Sequence, residues 1–231
     1  YYEAEDFNRA MPLFNELSTV LRGTAKMQEV SYYFAYCHYS ASDNLMAAYL
    51  FKNYTQNYPN GKHAEECAYM SAYCYYLEAP DYSLDATNNY KAINELQTFV
   101  DRFPLSDRVE KCNLLLDELR TVLSKKAFEN AKQYFTTENY KSAIIALENV
   151  LIDFPSYSNR EEVYFLIVKS SYLLAINSIS TKVISRLKST LDAYTQFKDN
   201  YPNSDLIKDL ENTYNKTKQT LTELKEKKDE I

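Results

Sequence analysis

Apolar side chains recur along this chain at helical spacing, and four times the stripe closes on an aromatic residue followed by proline. The pairs are Tyr58-Pro59, Phe103-Pro104, Phe154-Pro155 and Tyr201-Pro202. Twelve residues before each proline stands Ala47, Ala92, Ala143 or Thr190. Eight before stands Phe51, Leu96, Leu147 or Tyr194, and five before stands Tyr54, Phe99, Val150 or Phe197. Steps of four, three and four place these residues on one helical face. Proline then ends the helix, because it has no N–H and its neighbour avoids the α region. The recurrence predicts an all-α solenoid of about five helical hairpins.

The same spacing predicts the individual elements. Tyr1–Ala10 matches Tyr134–Ala143, and continuing the register pairs Phe14 with Leu147, Leu17 with Val150 and Leu21 with Phe154. The chain is therefore expected to open inside a hairpin that has lost most of its first helix, with Gly23 closing what remains. Helices follow over about Thr24–Tyr39, Asp43–Tyr58, Lys62–Glu78 and Leu84–Phe103, with turn chemistry at Ala79–Ser83. One long helix is expected from Ser106 to Phe135, then Tyr140–Phe154. Ser158 and Glu161 have the spacing of a capping box that opens a helix to about Ile176. A loop near Ser178–Thr181 leads to a helix ending at Tyr201. The tail from Asp205 keeps Leu206, Leu210, Tyr214, Thr217, Leu221 and Leu224 on one stripe among Lys and Glu. It reads as a capping helix that frays at its end, or as a docking helix for a partner.

Composition narrows the chemistry. Only Gly23 and Gly61 supply glycine, so no glycine-rich phosphate cradle or nucleophile elbow can form. Residues 1–105 hold 7 basic and 13 acidic side chains, a net −6, whereas residues 106–231 hold 19 of each. An acidic half repels phosphate backbones, so nucleic acid is an unexpected partner. No apolar run reaches the roughly 18 residues of a membrane span. Cys37, Cys67, Cys74 and Cys112 read as small core residues; Cys67 and Cys74, about 10 Å apart along one helix, cannot bridge. His38 and His63 lack ligand-spaced neighbours, and Glu65-Glu66 and Glu161-Glu162 read as solvated faces. Catalytic, metal and cofactor sites are not expected. Because the chain begins at Tyr1, a processed or trimmed start is expected, with any signal or lipid-attachment site lost with it.

The residues that stand out are tyrosines, 23 in all, with 15 in residues 1–105. Tyr32, Tyr36 and Tyr39 repeat as Tyr69, Tyr73 and Tyr76 at an offset of 37, each set on the first helix of a hairpin. First helices line the concave wall of such stacks. These six are the candidate peptide-binding residues, because tyrosine offers broad apolar contact with a polar tip at low entropic cost. The competing reading is plain packing. Lys26 and Lys62 are the only basic residues in the two predicted helices, so a lysine-lined carboxylate clamp is not expected and hydrophobic or aromatic segments fit better.

The alanine, large apolar and proline positions resemble the second helix of tetratricopeptide repeats, lengthened here to proline spacings of 45, 51 and 47. With the junctions Phe103-Pro104-Leu105-Ser106 and Tyr201-Pro202-Asn203-Ser204, the chain resembles the BamD (YfiO-like) lipoproteins of the outer-membrane β-barrel assembly machinery. Arg22–Thr24, Tyr33–Cys37, Ala72–Tyr76, Cys112–Leu115 and Lys169–Ser178 resemble the variant of Bacteroides-like bacteria. The resemblance implies a non-enzymatic, lipid-anchored scaffold on the periplasmic face of the outer membrane. Its later repeats, within 106–231, would dock on the POTRA domains of a BamA-like barrel protein. Its first repeats, within 1–105, would meet unfolded outer-membrane proteins through a hydrophobic terminal signal. Two alternatives stay open: another periplasmic repeat adaptor, or a helical ligand- or carbohydrate-binding lipoprotein.

Overall fold

A computed structural model of the chain describes residues 1–229. Among them are ten helices and no strand: α1 (Phe7–Val20), α2 (Met27–Ser40), α3 (Asn44–Asn57), α4 (Ala64–Leu77), α5 (Thr87–Arg102), α6 (Val109–Thr136), α7 (Tyr140–Asp153), α8 (Arg160–Ile176), α9 (Ser180–Asn200) and α10 (Ile207–Asp229). The fold is the expected all-α arrangement of tetratricopeptide-type hairpins. It divides into two compact units, Tyr1–Leu123 and Ser124–Ile231, and α6 contributes to both. In the first unit each helix from α1 to α5 packs on its neighbours in sequence. In the second, α7 packs on α8, α8 on α9, and α10 closes against α9 and α8.

All twelve residues of the proline-anchored stripes are buried, none more than 5% exposed. The small residue twelve before each proline lets the neighbouring first helix approach closely, and the larger residues then fill the layer. Each Phe or Leu buried this way contributes about 1.5–3 kcal/mol. The aromatic residue before each proline adopts one backbone geometry throughout, with φ/ψ of −130/63 at Tyr58, −126/60 at Phe103, −126/70 at Phe154 and −134/60 at Tyr201. Its carbonyl accepts from the residue three later: Gly61, Ser106, Tyr157 and Ser204. Proline therefore sits at the second position of a tight turn, where its fixed φ is an asset.

The turn inside a hairpin is also repeated. Ser42 and Glu138 are left-handed, at φ 61 and 62, and Glu5 takes the same conformation at φ 57. The next residue, Asp43, Asn139 or Asp6, donates back to His38, Tyr134 or Tyr1. This pattern satisfies orphan carbonyls at a helix end and turns the chain into the next helix. The matched segments at 1–10 and 134–143 thus share backbone as well as sequence. Gly23, at φ 83, ends the turn after α1.

Three expectations need correction. Helix α5 starts at Thr87 and not at Leu84, because the Asp85 carboxylate takes the Thr87 N–H at 2.9 Å. The capping box at Ser158 does not form: Asn159 precedes the first turn of α8, and its side chain bonds to Glu162. On α1, Ala10 is buried, but Leu17 is 40% exposed and does not fill a core position as Val150 does. The tail bears out its capping role through buried Leu210, Thr213, Thr217 and Leu221, with Tyr214 stacked on Tyr194 at 4.5 Å. The fraying expected for the last residues, Glu230 and Ile231, lies outside the described residues.

Two glycine substitutions should move stability in opposite directions. Glu138→Gly removes about 1–2 kcal/mol of left-handed cost against about 0.5–1 kcal/mol of added chain entropy, a net gain of roughly 0.5–1 kcal/mol. Gly61→Ala places a Cβ 2.0 Å from the Gln28 amide nitrogen, which donates to the Tyr54 hydroxyl at 2.7 Å. Displacing that amide should cost about 1 kcal/mol. Denaturant midpoints at constant slope check both.

Candidate functional site

The six candidate tyrosines lie on α2 and α4 of the first unit. Tyr69 is 6% exposed, and the other five are half-buried against the core of that unit. Along α2, Tyr32 meets Tyr36 at 4.8 Å and Tyr36 meets Tyr39 at 6.2 Å. Along α4, Tyr69, Tyr73 and Tyr76 stack in series at 5.8 and 6.0 Å, with interplanar angles of 11° and 17°. The i, i+4, i+7 spacing on each helix produces these ladders directly. Tyr36 also stands edge-on to buried Phe51, and Tyr69 edge-on to Phe99. One side of each ladder is therefore core, and the other is surface.

Side chains from the next first helix fix the rings. His63, four residues after Pro59, stacks on Tyr32 at 4.0 Å, and Glu66, seven after, accepts the Tyr36 hydroxyl at 2.6 Å. The same two positions after Pro104 are Arg108 and Lys111. The Arg108 guanidinium lies 5.1 Å from the Tyr69 ring centre. The Lys111 ammonium lies 5.7 Å from that of Tyr69 and 5.0 Å from that of Tyr73. Cations over electron-rich rings are attracted to them. Tyr76 donates to Glu118 of α6 at 2.5 Å.

Three of the phenols are held in their neutral form. Burial, then the bond to Glu66, drives the Tyr36 pKa far above the ordinary 10.0. Burial, then the Glu66 charge, raises Tyr32 to about 12. At Tyr76 the hydrogen bond to Glu118 leads, with burial second, and the value again reaches about 12.

The structure brings all six tyrosines together and adds five residues the sequence reading missed: His63, Glu66, Arg108, Lys111 and Glu118. Glu66 faces the phenols instead of solvent, while Glu65 accepts the Ser106 hydroxyl at 2.6 Å. Glu118 and Lys111 come from α6 and Arg108 from the turn just before it, outside the two helices that carry the tyrosines. The register after each proline was the available signal. The four cysteines are buried as expected, with free thiols. Desolvation raises Cys37 and Cys112 to about 11 and Cys74 to about 12, and raises Cys67 further. His38 engages Asp43 at 2.8 Å in the hairpin turn. Among the described residues no helix is long and apolar enough to cross a membrane.

One protein family, YfiO, described as outer membrane lipoprotein, matches residues 1–187. No curated protein matches the chain in sequence. Among solved structures, the TPR2AB domain of yeast Sti1 in complex with a pHSP90 partner aligns with a TM-score of 0.43 and 17% identity, covering 94% of each chain.

Raised phenol pKa values give a pH signature. Between the unfolded value of about 10 and the folded values near 12, the unfolded chain releases protons that the folded chain retains. Stability contributed by Tyr32 and Tyr76 is thus complete below pH 10 and lost as pH climbs toward 12. Near-ultraviolet titration of tyrosinate should show these phenols ionising late in the folded protein. Glu118→Gln should bring Tyr76 back toward its ordinary range.

Proposed function

Because this chain belongs to the YfiO family of outer membrane lipoproteins, we propose that it is a non-enzymatic scaffold and receptor in β-barrel assembly. In this reading a lipid anchor holds it to the periplasmic face of the outer membrane. The first hairpins receive unfolded barrel proteins, and the later ones dock on the POTRA domains of a BamA-like partner.

The observation that carries the receptor role is the paired tyrosine ladder. Its rings are pre-set by Glu66, His63, Arg108, Lys111 and Glu118, so little side-chain entropy remains to be lost when a segment lies across them. Flat aromatic surface with hydroxyl edges suits an extended segment of alternating aromatic and polar residues. Support for docking through residues 106–231 comes from apolar side chains left at the surface of the second unit. Ile145 and Ile152, one heptad apart on α7, are 51% and 73% exposed, and Ile179 before α9 is 67% exposed. Surface of this kind is common at protein contacts.

Tyr39→Ala with Tyr73→Ala should weaken a peptide copying the aromatic terminal strand of a barrel protein by about 10–100-fold in calorimetric titration. These positions spare the Tyr36–Glu66 bond, so far-ultraviolet circular dichroism should stay unchanged. Equal affinity with intact helicity would reject the receptor role. Capture of a POTRA-containing barrel protein by the full chain, lost on Ile145→Glu with Ile152→Glu, checks the docking role independently.

A further inference from the structure

We infer that Arg108, Lys111 and Tyr69 form a carboxylate-binding subsite within the tyrosine face. The inference rests on the reading of that face as a peptide receptor and assigns part of the peptide's chemistry.

The residue seven after each junction proline reaches back to the preceding first helix. Glu66 accepts from Tyr36, Glu162 accepts the Lys132 ammonium at 2.7 Å, and Asp209 accepts that of Lys169 at 2.9 Å. Each is an acid meeting a donor. Lys111 occupies the fourth such position and reverses it: a cation set over phenols, beside a second cation. Among the described residues neither Arg108 nor Lys111 forms an ion pair. They stand next to a stretch, residues 1–105, with a net charge of −6.

Tyr69 supplies the independent observation. Its hydroxyl is sealed from solvent and forms no well-made hydrogen bond. The ammonium of Lys111 stands 5.7 Å from the centre of its ring, and the hydroxyl proton has no acceptor. A buried donor without an acceptor is an unfavourable arrangement that an arriving carboxylate oxygen would relieve. The guanidinium can grip a carboxylate through two N–H groups, and the ammonium adds a point charge. The stacked rings of Tyr69 and Tyr73 give the adjoining residue an apolar bed. A polyphosphate or nucleic acid would carry its further charges against the acidic remainder of the unit. The carboxylate can come from a chain terminus or from an Asp or Glu side chain.

Calorimetric titration of the full chain with three versions of one aromatic octapeptide separates these sources: a free acid, its C-terminal amide, and the amide with one internal Glu. Binding of the carboxylate-bearing versions should exceed that of the plain amide by about tenfold. Lys111→Gln or Arg108→Gln should erase that preference, so that each variant binds the carboxylate-bearing versions no better than it binds the plain amide. Tyr69→Phe should weaken carboxylate binding several-fold while the ligand-free melting temperature holds or rises, an outcome that mere packing would not give. Preference for the free acid marks the terminus, and preference for the Glu version marks a side chain. If all three bind alike and Tyr39→Ala with Tyr73→Ala still weakens them, the subsite is overturned and the receptor face stands. If none binds, both fall.

Discussion

A helix that must hand the chain to an antiparallel neighbour has to stop at a fixed distance from its packing face. Here proline after an aromatic residue sets that distance. The aromatic residue takes the same backbone geometry at all four junctions, and its N–H still bonds to the residue four before it. Three times its ring also leans on the aromatic residue one turn earlier: Tyr58 on Tyr54, Phe103 on Phe99 and Tyr201 on Phe197, at 5.3–5.7 Å. The end of the second helix is thereby locked to its own core stripe, and the next first helix begins in constant register.

That constancy places the tyrosine surface. Position seven after each proline, and position four after Pro59 and Pro104, fall over the first helix of the preceding hairpin. Whatever side chains stand there complete that helix's outer face. After Pro59 they are His63 and Glu66, which hold Tyr32 and Tyr36. After Pro104 they are Arg108 and Lys111, which cover Tyr69 and Tyr73. The tyrosine ladders alone define an apolar shelf, and the crossing residues give one end an acceptor and the other a cation pair.

The stripes, the hairpin count and the six tyrosines were legible in the sequence because each depends on spacing within a single helix. The buried Ala47, Phe51 and Tyr54 follow from a period and a terminator, and so do their counterparts. What escaped depends on contacts between helices or on local competition. Glu66 looked solvated because its neighbour Glu65 points elsewhere, and only the hairpin stack shows that it meets a phenol. Lys111 lies on α6, outside the two helices that carry the tyrosines, so the composition of those helices does not show it. The start of α5 and the missing capping box turned on which nearby side chain took an amide or a carboxylate first, as Asp85 does for Thr87 and Asn159 for Glu162.

Comparison of the crossing pairs within each unit separates scaffold from surface. Lys132–Glu162 and Lys169–Asp209 are partly exposed ion pairs, worth little in water and weakened by salt. They orient neighbouring helices without offering a binding chemistry of their own. In the first unit the same register carries phenols, whose area is half-buried and whose hydroxyls are held in place. An exposed ion pair gives little away when it is exchanged for an aromatic contact, so this position can vary without loss of the hairpin. A geometry fixed by alanine, aromatic residue and proline therefore leaves the crossing position free to vary, and in the first unit it meets phenols instead of a lysine or an acid.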